Sequence, residues 1–253
     1  MHRYKLIEIR AGATLEIIKC IPRGCRKGVK RSQIKKTKEE IAKANMRQAV
    51  RKLARKINAN FMPGDWHVTL TYKRGEVPTP EESKKNIKDL LEKSRKWFKK
   101  QGKPMKYILV TEYKKKIIHH HLIINQVNDG KETTSDQIRK LWKKGHPKFV
   151  PMYEEGEYQG LADYLIKETD ETFREKNTPF HQRYSCSRNL VEPKVEKRTV
   201  EAKEWVMDPK PRKGYYILQD SLYNGYDRMG YRYQRYVMVK LNPTPEDWIQ
   251  GGG

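Results

Sequence analysis

Apolar residues recur along this chain at two spacings, and the changes between them divide it into elements. Residues 4–10 and 14–21 are short apolar runs around Ala11-Gly12-Ala13, which predicts a β-hairpin. Ile34, Ile41, Ala42, Ala49, Leu53 and Ile57 then recur at helical spacing, predicting a helix with one narrow apolar face. Trp66 to Tyr72 alternates, with Trp66, Val68, Leu70 and Tyr72 on one face and His67, Thr69 and Thr71 on the other, as in a half-buried strand. Thr79-Pro80-Glu81-Glu82 supplies a cap, a proline at the first helical position and a carboxylate at the third. The helix it opens carries Ile87, Leu90, Leu91, Trp97 and Phe98, and Gly102 and Pro104 end it.

Two further strands are predicted at Lys106–Tyr113 and Ile117–Asn125, joined through Lys114-Lys115-Lys116 as a hairpin. A short helix over 135–144 carries Ile138, Leu141 and Trp142 and stops at Gly145; a short strand follows at Phe149-Val150. In the helix expected over 160–169, Leu161 and Leu165 are four apart, while Tyr164, Lys167 and Glu168 share an adjoining face. Beyond Pro179 the pattern weakens. Residues 181–190 read as an extended polar segment, Val195–Met207 as helix or strand, and 214–218 and 231–239 as two strands around Asn224-Gly225. The Tyr and Arg alternation there suits stacking on a single nucleic-acid strand or a sheet's ordinary aromatic face, and both readings stand. The expected division is an N-terminal hairpin and basic helix over 1–60, a core over 61–175, and a Tyr/Arg-rich part over 176–253 packed on or continuing that core.

Charge changes the picture. Lys and Arg number 55 against 31 Asp and Glu, a formal net charge of +24. Such an excess attracts polyanions over long range, nucleic acid above all, and 15 Tyr with 5 Trp supply flat surfaces for unpaired bases. A merely soluble basic protein or a membrane-surface binder is the alternative. Lys19–Lys56 contains fifteen Lys and Arg against Glu39 and Glu40 alone, which marks Lys35, Lys36, Arg47, Arg51 and Arg55 as candidate phosphate contacts. Lys115 at the hairpin turn and Arg188 join them. A solvated charged helix face explains the same run without DNA. No stretch of about 18 apolar residues is present, so a transmembrane helix is not expected, and the N-terminus lacks the apolar core of a secretory signal. Cys20, Cys25 and Cys186 have no CxxC spacing, which fits a reducing cytoplasm and offers no zinc framework.

The candidate chemistry lies in the second hairpin. On a strand, His119 and His121 share one face while His120 joins Ile118, Leu122 and Ile124 on the other. If the turn centres between Lys115 and Lys116, Glu112 faces His119 directly and His121 diagonally; a slip of one residue sends it to the opposite face. A mixed nitrogen and oxygen set without thiolate suits Mn²⁺ or Mg²⁺ in a catalytic role, with Zn²⁺ a weaker candidate. The alternative is a run of histidines that are simply solvated or hydrogen-bonded on an edge strand. Tyr164 likewise has a plain reading, a packed aromatic with its hydroxyl at the rim.

Together, the Val-Thr-Leu-Thr strand (His67 to Tyr72), the His-x-His strand (His119 to Asn125) and the helix with Tyr-x-x-Lys (Tyr164 to Lys167) resemble the HUH endonucleases, specifically rolling-circle replication initiators of plasmids, phages and integrated elements. Val110-Thr111-Glu112-Tyr113 and Ser187-Arg188-Asn189-Leu190 are similar to the flanks in bacterial and phage members. The resemblance spans roughly residues 66–240. It departs from the family pattern at His120, where a bulky apolar residue is usual, and it lacks a second tyrosine one turn from Tyr164. The resemblance implies an α+β fold, a central antiparallel sheet of about five strands with flanking helices, related to ferredoxin-like and RNA-recognition modules. It implies Tyr164 as nucleophile, Lys167 as its support, and a divalent ion on His119, His121 and Glu112. It also implies single-stranded or melted origin DNA, a hairpin by expectation, as substrate, a 5′-phosphotyrosyl link with a free 3′-hydroxyl as product, and a bacterial cytoplasmic setting. No GxxxxGK[ST] loop occurs, so a host helicase and polymerase would act in trans. A relaxase or transposase of the same type, a non-catalytic ferredoxin-like RNA- or single-strand-binding protein, and a metal hydrolase using water are the competing readings.

Overall fold

The computed structural model describes residues 3–22, 37–114, 117–170, 182–227 and 229–249. In chain order the elements are β1 (Tyr4–Ala11), β2 (Thr14–Cys20), α1 (Lys38–Asn60), β3 (Trp66–Leu70), α2 (Pro80–Lys100), β4 (Tyr107–Lys114), β5 (Ile117–Ile124), α3 (Thr134–Leu141) and β6 (Pro147–Pro151). They continue with α4 (Gln159–Glu168), β7 (Ser185–Cys186), β8 (Lys194–Val200), β9 (Tyr215–Ile217), β10 (Tyr223–Tyr226), β11 (Arg232–Lys240) and α5 (Glu246–Ile249). The architecture is α+β with antiparallel sheets, in two compact units.

One unit comprises Ala49–Glu154 and Tyr158–Leu190 and is built on a five-stranded sheet in the order β6-β3-β5-β4-β7. Both β3 and β4 run antiparallel to β5, so α2 carries the chain from β3 across β5 to β4, a split βαβ unit. The alternation of β3 explains the packing. Val68 and Leu70, with Leu109, Leu122 and Ile124 from β4 and β5, face Ile87, Leu90, Leu91, Trp97 and Phe98 of α2 and Ile138 and Trp142 at α3. The capping box is formed: the Thr79 hydroxyl accepts the Glu82 N–H, and the Glu82 carboxylate accepts the Thr79 N–H. Burial of α1 is confined to its second half, at Val50, Leu53, Ala54 and Ile57, while Ile41 and Ala42 are exposed. The expected apolar stripe therefore works only where the helix has a core to cover; its first member, Ile34, lies outside the described residues.

The other unit joins the two ends of the chain: Met1–Gln48, Glu155–Glu157 and Val191–Gly253. Its sheet runs β10-β11-β2-β1-β8, with β9 also on β11. The sequence reading divides the chain at 60 and 175. The contacts group it otherwise, because β2 takes β1 on one side and β11 on the other. Val195–Met207 resolves into β8 up to Val200 followed by irregular chain. Asn224-Gly225, expected between two strands, lies inside β10; the reversal comes at Asp227, whose Oδ1 accepts the N–H of Met229 and of Tyr231.

Candidate active site

The register of the β4–β5 hairpin decides which side chains meet. Glu112 pairs with His119, Val110 with His121 and Lys114 with Ile117, the even parity that puts the carboxylate on the histidine face. A Glu112 Oε2 atom stands 3.7 Å from His119 Nδ1 and 3.6 Å from His121 Nε2. His119 is partly exposed and His121 is buried, at 2%. The contact with His121 holds the Glu112 carboxyl below the usual carboxylate range, outweighing burial, and a hydrogen bond with Glu168 and the charge of His119 act the same way.

β3 completes the setting of His121 from the other side. Its Nδ1 lies 3.2 Å from His67 Nε2 and 3.4 Å from Thr69 Oγ1, residues that β3 presents on the same sheet face. Burial, then the neighbouring His121, lowers His67 to a pKa of about 4, so its imidazole is neutral and its Nε2 can accept a proton from His121 Nδ1. That arrangement turns the lone pair of His121 Nε2 toward Glu112. This nitrogen is buried and has no hydrogen-bond partner. A buried polar atom without a partner costs about 1–3 kcal/mol, and here a metal would satisfy it. Among the described residues no three His, Cys, Asp or Glu groups yet stand at ligating spacing. Ligands at about 2.1 Å from one ion stand roughly 3.0–3.4 Å apart, so the separations of 3.6 and 3.7 Å need to close by only a few tenths of an ångström. The donor set and the unpartnered nitrogen fit a hard or borderline divalent ion.

His120 belongs to the core instead. It is fully buried on the α2 side, where its Nδ1 lies 2.9 Å from Thr111 Oγ1 and its Nε2 lies 3.0 Å from Ser83 Oγ and 3.1 Å from Tyr72 Oη. Burial, then the charges of His121 and His119, lower its pKa to about 3, which keeps the ring neutral. Both nitrogens being occupied by hydroxyls, His120 fills the position of an apolar residue without leaving a polar atom unpaired.

Tyr164 of α4 lies against the same face. Its ring meets the His121 ring edge-on, with centroids 5.4 Å apart, and the residue is 43% exposed. Burial, then the carboxylates of Glu168 and Glu112, raise the phenol above its ordinary 10. Leu161 and Leu165 anchor the helix, with Asn58 Oδ1 accepting the N–H of Tyr158 at its start. Lys167 points to the solvent side and pairs with Asp163, one turn back. Glu168, four residues after Tyr164, is half-buried and reaches Glu112.

The remaining candidates are dispersed. Arg188 is exposed beyond β7, where Ser187 bonds Tyr107 at the start of β4. Five residues of strand separate Tyr107 from Glu112, roughly 17 Å, so the fold does not bring Arg188 to the hairpin site. Arg47, Arg51 and Arg55 form an i, i+4 row along α1, exposed at Arg47 and half-buried at the other two, which border the buried stripe. Lys35, Lys36 and Lys115 lie outside the described residues. His67, Thr69 and Glu168 are the neighbours the sequence reading left unassigned. Strand alternation puts His67 and Thr69 on one face, but only the pairing of β3 with β5 reveals that they face His121.

The family model for the replication-associated protein ORF2 matches residues 65–169, from just before β3 to the end of α4. Comparisons with curated proteins and with solved structures return no match.

Proposed function

We propose that this protein initiates rolling-circle replication by nicking single-stranded or melted origin DNA through Tyr164. The observation that carries the reading is the meeting of an exposed phenol with a buried imidazole whose unpartnered Nε2 faces a carboxylate. The match to a replication-associated family over these same elements supports it. A phenol with an ordinary pKa near 10 is a poor nucleophile at neutral pH, and two nearby carboxylates make it poorer. A divalent ion held by His119, His121 and Glu112, with Mn²⁺ or Mg²⁺ ahead of Zn²⁺, would supply positive charge to the phosphate oxygens and to the phenolate.

The chain's own residues do the rest. The backbone pairing of β4 with β5 fixes Glu112 and His119, and His67 holds His121 in the tautomer with Nε2 unprotonated. Tyr164 Oη forms a bond to phosphorus as its proton leaves; the bond from phosphorus to O3′ breaks, and O3′ takes up a proton. The products are a 5′-phosphotyrosyl link and a 3′-hydroxyl that a polymerase can extend, and reversal of the step rejoins the strand. Lys167 exchanges Asp163 for the adjacent phosphate as DNA enters. Unwinding falls to a helicase in trans.

Incubation with Mn²⁺ and labelled single-stranded hairpins tests this. A protein–DNA adduct that survives denaturation is expected from the wild type, with at least about a hundredfold less from Tyr164→Phe and His121→Ala. Cleavage that persists in Tyr164→Phe would make the site a water-using hydrolase, and binding with no cleavage by the wild type would make the protein an inert nucleic-acid-binding module.

A further inference from the structure

We infer that Glu168 is a fourth ligand of the divalent ion, so that the helix bearing the nucleophile is itself tied to the metal. The inference rests on the metal site proposed for Glu112, His119 and His121, and it adds a donor from a different element. Three observations converge on it. Glu168 follows Tyr164 by four residues on α4, so the two side chains occupy neighbouring positions on one helix face. Its carboxyl meets that of Glu112. The buried, unpartnered His121 Nε2 faces the same Glu112 oxygen.

Two carboxylates brought together beside a buried imidazole repel one another unless a proton or a cation sits between them. Among the described residues no Lys or Arg pairs with Glu112. A divalent ion fits this demand in charge as well as in donors. Two carboxylates balance its two positive charges, two imidazoles complete four protein ligands, and an octahedral ion keeps two positions for water or for oxygens of the DNA phosphate. The placement also has a mechanical consequence. With Glu168 bound, the last turn of α4 is drawn to the hairpin, which fixes the distance of Tyr164 from the ion; without the ion, two negative groups face any incoming phosphate. Metal loading and phosphate admission are thereby coupled through one residue.

Manganese binding to the full chain, followed by calorimetry and by the EPR signal of free Mn²⁺ without DNA, separates this role from others. Glu168→Gln is expected to weaken Mn²⁺ binding at least about tenfold, while Tyr164→Phe stays within about twofold of the wild type. Glu168→His, which restores a nitrogen donor, should recover tight divalent binding with Zn²⁺ or Co²⁺ favoured over Mn²⁺, and Glu168→Ala should not. Unchanged far-UV circular dichroism and thermal midpoint in EDTA exclude misfolding as the cause. Wild-type Mn²⁺ affinity in Glu168→Gln overturns the assignment, and if nicking is lost in that variant Glu168 is a proton acceptor for Tyr164 instead. Failure of the wild type itself to bind Mn²⁺ sinks the metal site as a whole and is distinct from that result.

Discussion

His120 and His121 are adjacent in sequence and opposite in chemistry. One ring is fully enclosed by hydroxyls of Tyr72, Ser83 and Thr111; the other leaves a buried nitrogen open toward Glu112. Strand geometry alone separates them, since successive side chains leave on opposite faces. Replacing His120 by Gln keeps the volume but cannot satisfy all three hydroxyls at once, and Ser83 is fully buried. The expected cost is about 1–3 kcal/mol in urea denaturation, with Mn²⁺ affinity within about twofold of wild type. Equal loss of Mn²⁺ binding in His120→Gln and His121→Gln would show that the pair sharing the metal had been misidentified.

At the scale of elements, the site depends on how the end of β3 is held. The Thr71 carbonyl accepts the indole N–H of Trp142, the Lys73 N–H donates to the Lys144 carbonyl, and the Thr71 hydroxyl donates to the His146 carbonyl. The connection after α3 thus lies directly on the strand that supplies His67 and Thr69. Gly145 permits this approach: a Cβ there would stand 2.1 Å from the Thr71 carbonyl oxygen, and backbone on both sides leaves little room to yield. Gly145→Ala should therefore destabilise the fold by about 1–3 kcal/mol, read as a lowered thermal midpoint. A midpoint equal to wild type would mean that the contact relaxes freely and does not hold β3.

The whole molecule shows a second sheet assembled from the chain's two ends. β2 and β11 are neighbours in it, and the Glu16 carboxylate accepts from Arg235 Nε across a separation of 219 residues, both side chains being buried. Removing one partner leaves a buried charge alone. Arg235→Met should cost about 3–5 kcal/mol, and the double change Glu16→Leu with Arg235→Met should recover most of it, as measured by denaturant unfolding. A single variant as stable as the wild type would mean that Glu16 finds water or another donor. None of the described helices is long and apolar enough to cross a membrane, and the net charge of +24 is carried on exposed and rim positions such as Arg47, Arg188 and Lys167.

Local rules were enough for much of this protein. Two-residue alternation in Trp66–Leu70 and Ile117–Ile124, the capping box at Thr79, and the parity of the loop after Lys114 determine which faces of β3 and β5 are buried, where α2 starts, and that Glu112 meets His119, because each depends on residues a few positions apart. Tertiary structure decided the rest. That His67 faces His121, that Glu168 reaches Glu112, that three hydroxyls enclose His120, and that β11 pairs with β2 all require elements distant in sequence to come to rest beside one another. Such pairings are selected by the burial and hydrogen-bond satisfaction of the completed fold, a balance that no window along the chain contains.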